Sequence, residues 1–251
     1  MFTGLKDSVA IVSGAAGGMG RATVRRLSRE GCKVFAVDIS QSALESMMAQ
    51  METEQLTGIT PWVCNATVES EVTAAVQKCI EIYGKVSTLV NIAGIYTDRL
   101  FKDMTYDEWQ HTMNININSV MFFCRDVLPN MIENKHGKII NMASQAGVVG
   151  SVAHTHYAAS KAAIIGLSRS LAREVAEVGI NVNCIAPGII KTPMTARYTP
   201  QQVSNFMSKI PMHRFGEADD VAKVIEFLAS DGSDYLTGQV FNVTGGWLML
   251  S

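Results

Sequence analysis

Tyr157 and Lys161 are the pair in this chain with the clearest capacity for chemistry. In Tyr157-Ala-Ala-Ser-Lys161 they stand four residues apart, which on a helix puts both on one face. A free phenol titrates near 10 and is a poor base at neutral pH. An ammonium beside it, together with a second positive charge nearby, favours the phenolate, and moving the pKa to ~7 takes ~4 kcal/mol of differential stabilisation, within reach of two such charges in a dry site. The expectation is a tyrosine whose pKa is depressed enough to exchange a proton with a substrate oxygen. Ser144 lies 13 residues upstream, just past an apolar run, and its hydroxyl suits donation to a carbonyl oxygen. The competing explanation of Tyr157 and Lys161 alone is a chance pair on an amphipathic helix.

A second group sits near the start of the chain. Ser13-Gly14-Ala15-Ala16-Gly17-Gly18-Met19-Gly20 follows an apolar run and opens a helical pattern. Glycines there let the backbone turn sharply and approach a pyrophosphate, whose charge a helix N-terminus favours. A bare structural turn is the alternative reading. Asp38 sharpens it: 18 residues past Gly20 and at the end of the next apolar run, its carboxylate can accept both ribose hydroxyls of NAD. It can equally cap the helix that follows, and the two roles are compatible. A 2′-phosphate would face that carboxylate with no Arg or Lys at Ala16, Gly17, Ile39 or Ser40 to offset it. Like charges ~4 Å apart repel by about 4 kcal/mol at an effective dielectric of 20, less with salt, so NAD is expected over NADP.

These residues need a frame. Short β-branched runs at Val9–Val12, Val34–Val37, Ile59–Val63, Leu89–Ile92, Lys138–Met142, Ile180–Ile185 and Val240–Val243 alternate with helical patterns. The helices fall at 19–30, 41–53, 69–82, 106–133, 156–178 and 217–229. That alternation predicts an α/β fold, a mostly parallel sheet with helices on both faces. With no internal repeat or Pro/Gly-rich linker, residues 1–251 read as one domain. The segment 189–216 interrupts the alternation and reads as a substrate flap. Its apolar residues Met194, Tyr198, Phe206 and Met207 imply a substrate with a hydrophobic body, or a cover over the cofactor.

Composition narrows the classes. Of 251 residues 47% are hydrophobic and 18% charged, and the net charge is −2 with both signs interleaved, which argues against a nucleic-acid partner. No run approaches the ~20 apolar residues of a membrane span, and the N-terminus lacks a signal-peptide core. The five cysteines (32, 64, 79, 124 and 184) lie in apolar stretches without CxxC pairing, so they read as buried thiols of a cytoplasmic protein. His154 and His156 flank the tyrosine, but no third ligand has metal-site spacing; His154 reads as a substrate-pocket residue, with Gln145 beside Ser144. His111, His136 and His213 read as surface or packing residues.

Across nearly its whole length the sequence resembles the short-chain dehydrogenase/reductase family. The resemblance is carried by Gly14, Gly18 and Gly20, Asn91-Ile92-Ala93-Gly94, Asn116, Ser144, Tyr157, Lys161, Pro187-Gly188 and Thr192. It implies a doubly wound (Rossmann) fold with a seven-stranded parallel sheet. Tyr157 would be the general acid/base and Ser144 the donor to the carbonyl. Lys161 would bind the nicotinamide ribose and lower the tyrosine pKa, and Asn116 would hold a water next to Lys161. Asn116 follows Trp109 by seven residues, with Asn114 and Asn118 the alternatives at a two-residue slip. Asn91 through Gly94 would line the cofactor's far side, Gly17, Met19, Ile39, Ala66, Pro187, Gly188, Ile190 and Thr192 would complete the cofactor site, and Asn65 would offer its amide oxygen to the adenine. Ser13, Asn65, Ile92 and Thr244 depart from the family's usual residues. The resemblance also implies a homotetramer or dimer.

The pattern is nearest to the 3-oxoacyl-carrier-protein reductases, through Glu108-Trp109, His136-Gly137, Leu171-Ala-Arg-Glu and Pro187-Gly188. Gly17 stands where those enzymes carry an arginine, and Glu177-Val178 where they offer a basic residue to the acidic carrier. The first expectation is therefore an NAD-dependent oxidoreductase of secondary alcohols and ketones, with the carrier-protein reductase second. A non-catalytic NAD-binding sensor or assembly protein is a third reading, which the intact Ser–Tyr–Lys set opposes.

Overall fold

The structure, a computed structural model, describes residues 3–192, 195 and 198–249. Seven strands form one parallel sheet: β1 (Val9–Ser13), β2 (Lys33–Asp38), β3 (Ile59–Val63), β4 (Thr88–Asn91), β5 (Gly137–Met142), β6 (Ile180–Pro187) and β7 (Val240–Val243). Their order is β3-β2-β1-β4-β5-β6-β7. The chain winds outward from β1 to one edge, returns to the centre at β4 and winds to the other edge. This is the expected doubly wound α/β fold, and its direction reverses between β1 and β4.

The helices are α1 (Gly18–Arg29), α2 (Gln41–Thr53), α3 (Glu69–Tyr83), α4 (Tyr106–Met113), α5 (Ser119–Glu133), α6 (Gln145–Val149), α7 (Thr155–Val175), α8 (Pro200–Met207) and α9 (Ala218–Ala229). The strand period of two sorts the core into two layers. Val9, Ile11, Phe35, Leu89, Ile139 and Val182 point to the face covered by α3, α5 and α7. Ala10, Val12, Val34, Val90, Ile140 and Ile185 point to the face covered by α1, α2 and α9. Arg26 of α1 clasps α9 through Asp219 at 2.6 Å and Glu226 at 2.7 Å. Hydrogen bonding to Arg26 pulls the Asp219 carboxyl down to about 2.

The run expected as one helix over 106–133 is two helices joined by a π turn, Asn114–Asn118. The wider turn comes where three asparagines alternate with isoleucines, and such turns favour functional positions. The expected flap at 189–216 contains α8, begun by proline after the Thr199/Gln202 capping box. All five cysteines are buried and free. Burial pushes their thiols up, Cys32 and Cys184 to about 11 and Cys64, Cys79 and Cys124 to about 12. No helix among the described residues is long and apolar enough to cross a membrane.

Candidate active site

Where the strand order reverses, the carboxyl ends of neighbouring strands diverge and leave a crevice. The cleft there has a volume of about 580 Å³ including its open mouth. Met19, Gly94, Tyr96, Ser144, Tyr157, Lys161, Gly188, Ile190 and Thr192 are among its lining residues. Residues from five separate stretches of sequence thus meet at one mouth.

The glycine turn shows why it is glycine. Gly14 adopts φ +67°, and a Cβ there would lie 2.8 Å from the Ala93 backbone. A Cβ on Gly20 would lie 2.1 Å from the Gly14 carbonyl oxygen, so the turn and the first turn of α1 close on each other only without side chains. Gly17 is the N-cap of α1 and Gly18 its first residue, leaving the helix N-terminus bare toward the crevice. Asp38 ends β2 with both carboxylate oxygens engaged: Ala16 N donates to one at 3.0 Å and Ser40 N to the other at 3.1 Å. The helix cap of α2 is Ser40 rather than Asp38, its hydroxyl accepting from Ala43 N at 3.2 Å. The bare glycine cradle and the backbone-fixed carboxylate fit a dinucleotide. Ile39 beside them is 65% exposed.

Ser144 caps the short helix α6, accepting from Ala146 N at 3.1 Å. Its hydroxyl stands close enough to Tyr157 to pull that phenol's pKa down. Lys161, one turn further along α7, is buried to 3% exposure, with Nζ 5.8 Å from the Tyr157 ring centroid. Burial raises the Tyr157 pKa above its ordinary value, against the smaller downward pull of the Ser144 hydroxyl. Without cofactor, desolvation is the largest influence on the phenol and acts opposite to the expected depression. The same desolvation lowers Lys161 to about 8.

Asn116 is the asparagine that the π turn carries inward, at 0% exposure. Its Oδ1 accepts from Ile95 N at 2.8 Å, and its Nδ2 donates to Ile95 O at 3.0 Å and Ser160 Oγ at 3.1 Å. Asn118 Nδ2 instead bonds Asn114 Oδ1 on the exposed side, so neither neighbour occupies this position. Asn91 turns into the core, its Nδ2 donating to Asn141 at 2.9 Å, and Ala93 packs its backbone on Gly14. Of the expected 91–94 segment it is Ile92 and Gly94 that line the cleft. Asn65 does not hold a free amide oxygen as expected: Oδ1 accepts from Thr67 N at 3.0 Å and Thr67 Oγ1 at 2.8 Å. Ala66 stands next to it, partly buried. Two departures from the usual residues find structural work. Ser13 Oγ accepts from Ile92 N at 3.2 Å, and Thr244 Oγ1 accepts from Leu248 N at 3.1 Å.

The expected substrate residues separate. His154 does not line the cleft. Its ring stacks behind Tyr96 with centroids 4.1 Å apart, Nε2 bonded to Asp98 and Nδ1 2.6 Å from Val152 O. Phe206 packs between Tyr198 at 5.1 Å and Trp247 at 6.0 Å and is not among the residues that line the cleft. Gln145 is buried beneath Gly188. Met194 lies outside the described residues. Tyr96 was not anticipated: its ring meets Tyr157 edge-on, centroids 4.8 Å apart at 86°. No periodicity marks it, because it lies on a loop that docks through Arg99 N to Ala153 O at 2.8 Å and Thr97 Oγ1 to His156 Nε2 at 2.8 Å. Among the described residues no group of His, Cys, Asp or Glu is arranged to hold a metal ion.

Comparison with known proteins agrees with this geometry. Residues 14–248 match the short-chain dehydrogenase family model described as enoyl-(acyl carrier protein) reductase. The 3-oxoacyl-[acyl-carrier-protein] reductase FabG of Thermotoga maritima is 41% identical, over 96% of this chain and 98% of its own. That of Escherichia coli K12 is 36% identical, over 98% and 99%. The crystal structure of gox2181 superposes with a TM-score of 0.93 at 33% identity, covering 96% of each chain. With the family model spanning nearly the whole chain and relatives this similar, the protein belongs to the short-chain dehydrogenase/reductase family, oxidoreductases that use a nicotinamide cofactor.

Proposed function

We propose that this protein transfers a hydride reversibly between NAD(H) and a secondary alcohol or ketone, with Tyr157 as general acid/base. The observation that carries the reading is the meeting of Ser144, Tyr157 and Lys161 on the wall of one cleft, with Lys161 one helical turn beyond Tyr157. When bound, the nicotinamide ring supplies or accepts the hydride. Ser144 holds the substrate oxygen by donating its hydroxyl proton, and Tyr157 gives that oxygen a proton in reduction and takes it back in oxidation. A phenol kept protonated by burial is ready to act as the acid. Asp38, fixed by two backbone amides, selects NAD over NADP by accepting ribose hydroxyls and repelling a 2′-phosphate. Asn116 braces the Ile95 backbone against α7 and keeps Gly94 close to Lys161. The chain is read as one domain whose 189–216 segment covers the substrate, and as a homo-oligomer.

A second reading, reduction of a 3-oxoacyl group on a carrier protein, is favoured by the curated relatives, which bear that name at 36–41% identity. Against it stand Asp38, the absence of an arginine at Gly17, and Glu177-Val178 before Gly179. Initial rates with NADH and NADPH on an acetoacetyl thioester and on a panel of ketones separate the two. Tyr157→Phe tests the shared chemistry: turnover should fall by roughly 10²-fold or more while NADH affinity is largely kept. A Phe variant nearly as active as the parent refutes the assignment.

A further inference from the structure

His154 is buried at the N-cap of α7, the helix that carries Tyr157 and Lys161. Each of its ring nitrogens faces an oxygen that only accepts. Nε2 lies 2.5 Å from Asp98 Oδ1 and Nδ1 lies 2.6 Å from the Val152 carbonyl oxygen, while Ser151 Oγ at 3.1 Å and Tyr96 Oη at 3.3 Å stand further from Nδ1. A neutral imidazole has one N–H, and its other nitrogen would turn a lone pair on an oxygen lone pair. Both bonds form together only when the ring carries two protons. Ala153, between Val152 and His154, holds φ +63°, a conformation that side-chain-bearing residues seldom adopt, so this turn is kept at a cost. The charged ring lies parallel to Tyr96, centroids 4.1 Å apart at 13°, which places a cation on a π face. Tyr96 in turn meets Tyr157 edge-on at 4.8 Å. The neighbouring titratable groups leave the charge on His154. His156 of the same helix is buried with Nδ1 unpaired and Nε2 2.8 Å from Thr97 Oγ1, and burial first, then His154, holds its pKa below the ordinary value. Glu108 of α4 is paired to Arg99 at 2.5 Å.

We infer that His154 is a positioning residue that works as an imidazolium: anchored by Asp98 and the Val152 carbonyl, it holds the Tyr96 ring against Tyr157, and the hold is released when His154 loses a proton. This rests on the reading of Tyr157 as the general acid/base and adds a second, remote proton to the pH dependence of the site. His154 is not among the residues that line the cleft, whereas Tyr96 and Tyr157 are, so its influence on the reaction passes through Tyr96. Removing one proton leaves a ring nitrogen with a lone pair against an acceptor, so one of the two anchors must break. The cation–π contact goes with the charge. The sign follows: the arrangement is complete at acid pH and is lost as pH rises through the titration of His154.

The test is the ratio of kcat/KM between the parent and His154→Phe from pH 6 to pH 9.5, with NADH and the acetoacetyl thioester or ketone that the parent turns over fastest. Phenylalanine keeps a ring on Tyr96 but loses the charge and both anchors. Taking the ratio cancels the titration of Tyr157, which the two proteins share. It should be roughly threefold to tenfold at pH 6 and approach one at pH 9.5, where histidine is neutral. His154→Arg supplies a planar cation with several donors at every pH, so it should match the parent at pH 6 and exceed it at pH 9.5. That variant carries the test if the phenylalanine protein does not fold. A ratio that stays constant across the pH range in either folded variant marks His154 as packing only; it overturns the inference and leaves the role of Tyr157 intact. Absence of turnover by the parent on every substrate, with NADH bound, overturns both.

Discussion

Lys161 Nζ donates to the main-chain oxygen of Met142 at 2.8 Å, tying α7 to the last residue of β5. The bond aims the ammonium at the cleft, yet desolvation still lowers its pKa from 10.5 to about 8. That gap is worth about 3 kcal/mol against folding wherever the lysine is protonated in both states. Below pH 8 the whole penalty applies. Between 8 and 10.5 the unfolded chain holds more protons than the folded one, so stability rises with pH. Lys161→Met should therefore raise the melting temperature by several degrees at pH 7, less near pH 10, while turnover collapses. Calorimetry at the two pH values checks it; a variant that melts lower at pH 7 contradicts the argument.

Tyr96 stands between His154 and Tyr157, stacked on one and edge-on to the other. Edge-to-face ring pairs are worth about 0.5–1.5 kcal/mol beyond area burial, enough to hold the catalytic phenol in one rotamer. Tyr96→Ala should lower kcat/KM by roughly threefold to tenfold with NADH binding little changed, and Tyr96→Phe should recover most of the loss. Steady-state kinetics with a parallel NADH titration reads both.

Asp38 Oδ1 and Oδ2 face Ser40 N and Ala16 N, so the carboxylate cannot swing away from a 2′-phosphate. Asp38→Ala combined with Ile39→Arg removes the repulsion and adds a counter-charge at an exposed position. The NADPH/NADH ratio of kcat/KM should rise roughly tenfold or more, and less at 0.5 M salt than at low salt. An unmoved ratio would exclude Asp38 as the selector.

Gly20→Ala places a methyl 2.1 Å from the Gly14 carbonyl oxygen and 2.7 Å from the Ala15 backbone. Neither neighbour is a side chain that can rotate away. The turn must open, at about 1–3 kcal/mol of stability. NADH affinity should fall with the melting temperature, whereas NADH binding at the parental level would show that the cradle tolerates the methyl.

The alternation of β-branched runs with helical patterns suffices to predict a mostly parallel sheet with helices on both faces, because strands buried on both faces are apolar throughout, while the doubly wound order comes from the family resemblance. The glycine turn, Asp38, Ser144, Tyr157 and Lys161 were legible for a related reason: each depends on a local spacing or on the end of a strand. What the sequence could not determine is whatever depends on which segments pack together. It left three asparagines within five residues, and the π turn carries only Asn116 inward. It placed His154 in the substrate pocket, whereas the loop carrying Tyr96 and Asp98 docks over it and takes up its ring. It paired tyrosine and lysine by their charges but not by their burial, and in the folded protein desolvation sets the direction of both pKa shifts. Spacing along the chain encodes which side chains can share a face, whereas solvent exclusion and contacts between distant segments exist only once the chain has folded around them.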